Sequence, residues 1–243
     1  MNVETGYVHS IYTGGMVDGP GIRTVVFFAG CSLRCIYCHN PDTWQRAKGM
    51  KKTVSDVRDE VLKYKSYYKF SGGGITVSGG EPTDQPDFLR ELLKTCRENG
   101  IHTVLDTAGC ATEKIADDVL PYVDLLLLDF KTYNADLYYR LTQSDIKRPL
   151  LTVEKARALN IPTQINYVLV PGFTDNKDDL VNLAAFLKTH DNIKKIEVLP
   201  FHKHGEHKWE GLDYVLHNTQ PPTVEVLETA RGLLGLDDFP SIQ

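Results

Sequence analysis

The chain has 243 residues, with 27 Lys and Arg against 32 Asp and Glu and a formal net charge of −5; that balance excludes the cationic footprint of a nucleic-acid binder. Apolar and charged fractions of 42% and 24% are ordinary for a globular chain, and the length suits one sizeable α/β domain over 1–243. No run approaches the roughly 18 apolar residues of a membrane span, and Met1 to Gly6 lacks the basic and apolar regions of a secretion signal, so a cytoplasmic protein with no membrane partner is expected.

Tyr7 to Tyr12 alternates and reads as a short edge strand. Four glycines and Pro20 between Gly14 and Arg23 make a tight loop. Its only charges are Asp18 and Arg23; it is either a turn into the first buried strand or a rigid loop that meets substrate. Thr24 to Phe28 is that strand, and Ala29-Gly30 ends it. Three thiols, Cys31, Cys35 and Cys38, therefore sit at its carboxyl end.

The C-x-x-x-C-x-x-C spacing admits three readings. An all-cysteine [4Fe–4S] site uses one thiolate per iron, so three leave one iron open to a chelating ligand. Zinc needs a closed set of four ligands and would recruit His39 or a distant residue. Disulfides would leave one thiol over and belong to oxidising compartments. Cys96 lies in a helical pattern as a small apolar residue, and Cys110 is isolated. The order of the three cysteines, with Tyr37 just before the last, is similar to the signature of the radical S-adenosylmethionine (SAM) superfamily. There the amino and carboxylate groups of SAM chelate the open iron.

Thr53 to Tyr68 reads as one helix, with Thr53 and Asp56 as an N-cap pair. Ser71-Gly-Gly-Gly74 stops it, Ile75 to Ser78 is a strand, and Gly79-Gly80-Glu81-Pro82 follows, where two glycines let a ligand approach the backbone. Pro86 to Asn99 is an amphipathic helix stopped by Gly100. Ile101 to Leu105 is a strand ending in Asp106-Thr107, and Glu113 to Leu120 a helix ahead of Pro121. Leu125 to Leu128 is wholly apolar, as in a parallel strand buried on both faces, and ends in Asp129-Phe130-Lys131. Leu137–Leu141 and Val153–Leu159 are helical, Thr163 to Val170 a strand, Leu180 to Leu187 a helix, Ile193 to Leu199 a strand, and Val224 to Leu234 a last helix.

Strand and helix thus alternate about six times, which implies a parallel sheet with right-handed crossovers. Six units fall short of a closed eight-unit barrel, so the expected fold is a partial (β/α)6 TIM-like barrel. Cys31, Glu81, Asp106, Asp129, Lys131, Asn166 and His202 each fall at or near a strand's carboxyl end, where such barrels gather their chemistry. Each has a plainer reading too. Asp106 suits a helix cap, Asp129 and Lys131 an ion pair, and His202 a solvated loop.

Across nearly its whole length the chain resembles the pyruvate formate-lyase-activating enzyme family of radical SAM proteins. The resemblance rests on V-D-G-P-G-I-R at 17–23, the cysteine loop with His39 and Asn40, S-G-G-G at 71–74 and S-G-G-E at 78–81. It continues through L-D-T at 105–107, L-D-F-K at 128–131, Y-V-L-V-P-G at 167–172, L-P-F-H ending at His202, and G-x-H-K-W at 205–209. It implies a cluster loop at 31–38, a C-terminal extension from about 201 to 243, and a [4Fe–4S] cluster on Cys31, Cys35 and Cys38. It also implies SAM held by Tyr37, Cys38, His39, Gly79, Gly80, Glu81, Asp129, Phe130, Lys131 and His202. A monovalent cation, K+ or Na+, would sit on Asp106, Thr107, Asp129 and the Leu127 carbonyl, oxygen ligands that suit a hard ion. Asp18 would contact the protein substrate. One departure stands out: Asn166 occupies a position where the family commonly has arginine, keeping hydrogen-bonding capacity without the cation.

The resemblance further implies removal of a glycine Cα hydrogen from pyruvate formate-lyase, driven by an electron from a flavodoxin or ferredoxin. A radical SAM enzyme acting on another glycyl-radical enzyme or on a small molecule is the alternative. A non-catalytic electron-transfer module would need neither the G-G-E-P turn nor the acidic strand ends.

Overall fold

The computed structural model describes residues 5–212, 216 and 218–239. Part of the expected C-terminal extension, 213–215, 217 and 240–243, lies outside the described residues. Strands are β1 (Thr5–Gly15), β2 (Arg23–Phe28), β3 (Met50–Thr53), β4 (Gly74–Gly79), β5 (His102–Thr107), β6 (Leu125–Asp129), β7 (Thr163–Leu169) and β8 (Ile193–Pro200). Helices are α1 (Val54–Leu62), α2 (Lys65–Ser71), α3 (Pro86–Glu98), α4 (Glu113–Val119), α5 (Ala135–Thr142), α6 (Lys147–Ala158), α7 (Lys177–Lys188) and α8 (Val224–Leu234).

They build one sheet in the order β3-β1-β2-β4-β5-β6-β7-β8. The six strands from β2 through β4 to β8 run parallel, joined by helical crossovers, as the alternation in the sequence requires. β1 and β3 add an antiparallel edge. β3 and β8 are the two edges, so the barrel is partial and does not close. The core lies between sheet and helices. Phe28, Val77, Leu126 and Ile165 from the strands meet Leu89, Leu92, Val153 and Leu183 from α3, α6 and α7, all fully buried. The opposite face of the sheet lines the barrel interior, where Val104, Leu125 and Leu127 form a small separate apolar cluster.

The elements differ locally from expectation in three places. The helix expected over 53–68 divides into α1 and α2. In the second piece the Tyr68 phenol shares a 2.6 Å hydrogen bond with Thr24 Oγ1. α6 begins at Lys147 because Pro149 falls in its first turn, where a missing N–H loses no helical bond. β3 was not expected, since Met50-Lys-Lys-Thr53 is short and basic. Such sequences are how edge strands avoid further pairing.

Candidate active site

The parallel strands carry their carboxyl ends to one rim, and a pocket of about 180 Å3 opens there. Cys31, Cys35, Cys38, Tyr37, His39, Gly79, Gly80, Asp106, Thr107, Asp129 and Lys131 all line it. The thiols come from the loop after β2, the glycines from the end of β4, the Asp106-Thr107 pair from β5, and Asp129 and Lys131 from β6. All three thiols are free and half-buried.

Local backbone chemistry holds the cysteine loop in place. Gly30 N–H donates to Thr43 O at 2.7 Å, and Cys31 N–H to Trp44 O at 3.3 Å. On the other side Gly80 N–H donates to Phe28 O, and Glu81 N–H to Gly30 O, each at 2.9 Å. Gly79 has φ +117°, and a Cβ there would collide with the Phe28 backbone; one on Gly80 would collide with Gly30 O. The two glycines therefore let the end of β4 lie directly against the start of the cysteine loop. At the far end Trp209 donates its indole N–H to Cys38 O at 2.9 Å.

The polar residues divide by what they do. Lys131 Nζ pairs with Asp129 Oδ2 at 2.8 Å and lies 5.8 Å from the centre of the Tyr37 ring. Burial disfavours the ammonium, but the adjacent Asp129 carboxylate, with smaller help from Tyr37 and Cys35, offsets this and holds the Lys131 pKa well above its ordinary value. Asp106 does not cap α4; Thr112 does. Instead Asp106 Oδ2 accepts from Ser78 Oγ at 2.6 Å. Burial and the nearby Asp129 carboxylate push its pKa up to about 7. Burial likewise raises all three cluster-loop thiols, Cys35 to about 12, so any metal taken up must displace protons.

Other residues singled out from the sequence lie off the pocket wall. Glu81 is fully buried, and its carboxylate is occupied by the protein itself. It accepts from Thr83 N–H and Oγ1, Thr107 Oγ1 and Ala108 N–H, at 2.6 to 3.0 Å. Its side chain thus ties the ends of β4 and β5 together. Phe130 points away, against Phe186 of α7. Leu127 belongs to the barrel's interior apolar cluster. His202 stacks on His39, ring centres 4.0 Å apart and 8° from parallel, and its carbonyl is 3.1 Å from His39 Nε2.

Asp18 sits lower in the barrel, with its carbonyl accepting from Thr76 Oγ1. Arg23 is a structural residue. Fully buried, it donates to Thr76 Oγ1, Pro20 O, Ile75 O and His102 O. Asn166 Oδ1 accepts from Gln164 Nε2, which also donates to Glu197 Oε2. Sequence reasoning missed Ser78, Trp44 and Val168 on the pocket wall. Ser78 alone had a usable signal, its place at a strand's carboxyl end.

Larger cavities lie elsewhere, among them the following two. One of about 810 Å3, between α5 and α7, is rich in carboxylates, and one of about 550 Å3 adjoins Met16 and Val17. Neither contains a thiol. Among the described residues no group of three or more His, Cys, Asp or Glu converges as ligands of a single metal ion do. The three thiols surround a pocket instead, which disfavours a lone zinc and suits a larger inorganic group bound one thiolate per iron.

Residues 25–186 match the family model of the radical SAM superfamily. Curated relatives include the pyruvate formate-lyase-activating enzymes of Staphylococcus epidermidis, 43% identical, and Staphylococcus aureus strain USA300, 44% identical, each over 93% of both chains. Among solved structures, a domain of a pyruvate-formate lyase-activating enzyme from Bacteroides vulgatus covers 70% of this chain and 98% of its own, at a TM-score of 0.58 and 25% identity. A radical SAM methyltransferase from Sphaerobacter thermophilus, 15% identical, shares the fold over 98% of this chain and 76% of its own, with a TM-score of 0.60.

Proposed function

Because the chain belongs to the radical SAM superfamily and, within it, to the pyruvate formate-lyase-activating enzymes, we propose that Cys31, Cys35 and Cys38 hold its [4Fe–4S] cluster at the pocket and leave one iron for SAM. The protein is a radical SAM oxidoreductase whose substrate is pyruvate formate-lyase. When bound, cluster and SAM supply a 5′-deoxyadenosyl radical, formed by one-electron reduction, that removes a hydrogen atom from a glycine Cα. The protein's own task is to position and shield that chemistry.

The residues divide that task as follows. Tyr37 and His39, the latter braced by the His202 stack, flank the adenine side of SAM. Gly79 and Gly80 present backbone to its amino end, while Glu81 keeps that turn fixed from behind. Asp129 and Lys131 meet ribose and carboxylate; Phe130 anchors the segment between them in the core. Asp106, Thr107, Asp129 and the Leu127 carbonyl take a monovalent cation, which would relieve the crowding of two carboxylates. Asp18 meets the backbone of the substrate loop. A flavodoxin or ferredoxin supplies the electron. No general acid or base is required, in keeping with an Asp129–Lys131 pair that is held as an ion pair. The chain 1–243 acts as one unit, since the extension beyond 200 is tied to the cysteine loop through Trp209.

The observation that carries this reading is the convergence of three free thiols and the strand-end polar groups on one pocket. The test is iron and sulfide analysis of anaerobically purified protein, then 5′-deoxyadenosine formation from SAM under dithionite. Cys31→Ala, Cys35→Ala and Cys38→Ala should each abolish it. Retained turnover in any one of them would remove the ligand assignment.

A further inference from the structure

The cluster loop is flanked by a cationic surface that the reaction pocket does not use. Residues 31–52 carry five cations, Arg34, Arg46, Lys48, Lys51 and Lys52, and a single carboxylate, Asp42, in a chain of net charge −5. Asp42 is already engaged by His9 and Lys208. Among the described residues none of the five cations is paired with a carboxylate. Four of them are exposed, with Lys52 half-buried. Carboxylates border the patch: Asp56 lies near enough to Lys52 to feel its charge, and Asp84 accepts from Ser32 Oγ at 3.0 Å while its carbonyl accepts from Arg46. Met50, within the same segment, is 55% exposed.

This surface is wired to the first thiol. Trp44 O accepts the Cys31 N–H, and the Arg34 guanidinium donates to Cys31 O at 2.7 Å while lying 4.9 Å over the Trp44 ring. Arg46 packs at 3.4 Å from where a Gly30 Cβ would be. A protein docked here is separated from Cys31 by one layer of hydrogen-bonded chain. The rim cavity between α5 and α7 has the opposite character, with Asp136, Asp175, Asp178 and Asp179 on its wall.

We propose that the 34–52 surface, centred on Arg46, Lys48 and Lys51, docks an acidic one-electron carrier protein beside the cysteine loop, leaving the pocket mouth to the protein substrate. The step moves one electron and no atom: the carrier is oxidised by one electron and the iron–sulfur group by the loop is reduced by one. Charge complementarity steers the encounter and orients the carrier's redox group toward Cys31. The carboxylate-lined cavity repels the same carrier. This proposal rests on the functional reading above, and the binding arm of its test does not.

The test uses oxidised flavodoxin as the acidic probe and the Lys48→Glu/Lys51→Glu double variant, with Lys114→Glu on α4 as a remote control. Titration calorimetry at low and physiological salt should show flavodoxin binding that weakens with salt in the unsubstituted protein. The double variant should bind about tenfold or more weakly and lose the salt dependence, while the control is unchanged. In turnover, 5′-deoxyadenosine formation driven by photoreduced flavodoxin should fall in the double variant, and that driven by dithionite should not. Equal affinity in the two proteins would overturn the proposal. So would an equal loss of the dithionite-driven rate, which would assign the surface to the protein substrate or to folding. Absence of dithionite-driven product in the unsubstituted protein would instead defeat the functional reading.

Discussion

At the scale of single residues the fold acts most visibly on Asp106. Burial and the Asp129 carboxylate raise its pKa to about 7, against an ordinary value of about 3.9 in an unfolded chain. Between those values the folded protein keeps a proton that the unfolded chain has released. Asp106 therefore contributes stability below about pH 4 that is lost as pH rises through about 7. Asn cannot ionise and still accepts from Ser78. Asp106→Asn should leave the melting temperature of the metal-free protein little changed at pH 4 and raise it by several degrees at pH 8, on the order of a few kcal/mol. Potassium should shrink that difference if the cation binds between Asp106 and Asp129. A melting difference independent of pH would mean that the carboxyl is not held protonated.

At the scale of elements, α1 is an example of a boundary written locally. Thr53 Oγ1 accepts from Asp56 N–H at 3.0 Å, and Asp56 Oδ2 accepts from Thr53 N–H at 2.8 Å, a reciprocal capping box. The same pair satisfies two donors that the helix cannot. Thr53→Ala should lower unfolding stability by about 1 kcal/mol, read as a shift in urea midpoint with unchanged slope. The cationic segment just before it ends on Thr53, so this variant also tests whether the surface depends on α1: flavodoxin affinity should stay as it is. The same element shows the limit of periodicity. Val57 and Val61 bury as the 3.6 repeat requires, yet the helix stops at Leu62 and a second one carries Tyr68 to its partner on β2.

At the scale of the whole molecule, the large core between sheet and helices is separate from the cysteine loop. Tyr37 packs in a second cluster with Phe201, Trp209 and Leu216, while the main core draws on every parallel strand. Removing iron with a chelator should therefore abolish turnover and leave far-ultraviolet circular dichroism and one cooperative melt in place, unlike a metal-nucleated finger. Loss of cooperative unfolding on chelation would show that the cluster holds the barrel together. Much was legible in the sequence: the six parallel units, the thiol spacing, the Thr53 cap, and the collection of polar groups at strand ends, because each follows from period, turn chemistry or ligand spacing within a few residues. Tertiary structure alone decided the rest. Glu81 looks like a ligand in G-G-E-P, yet four donors from Thr83, Thr107 and Ala108 occupy it. Arg23 looks like a substrate contact, yet it is buried among carbonyls. Which way a polar side chain turns depends on partners brought from distant strands, and no local pattern encodes them.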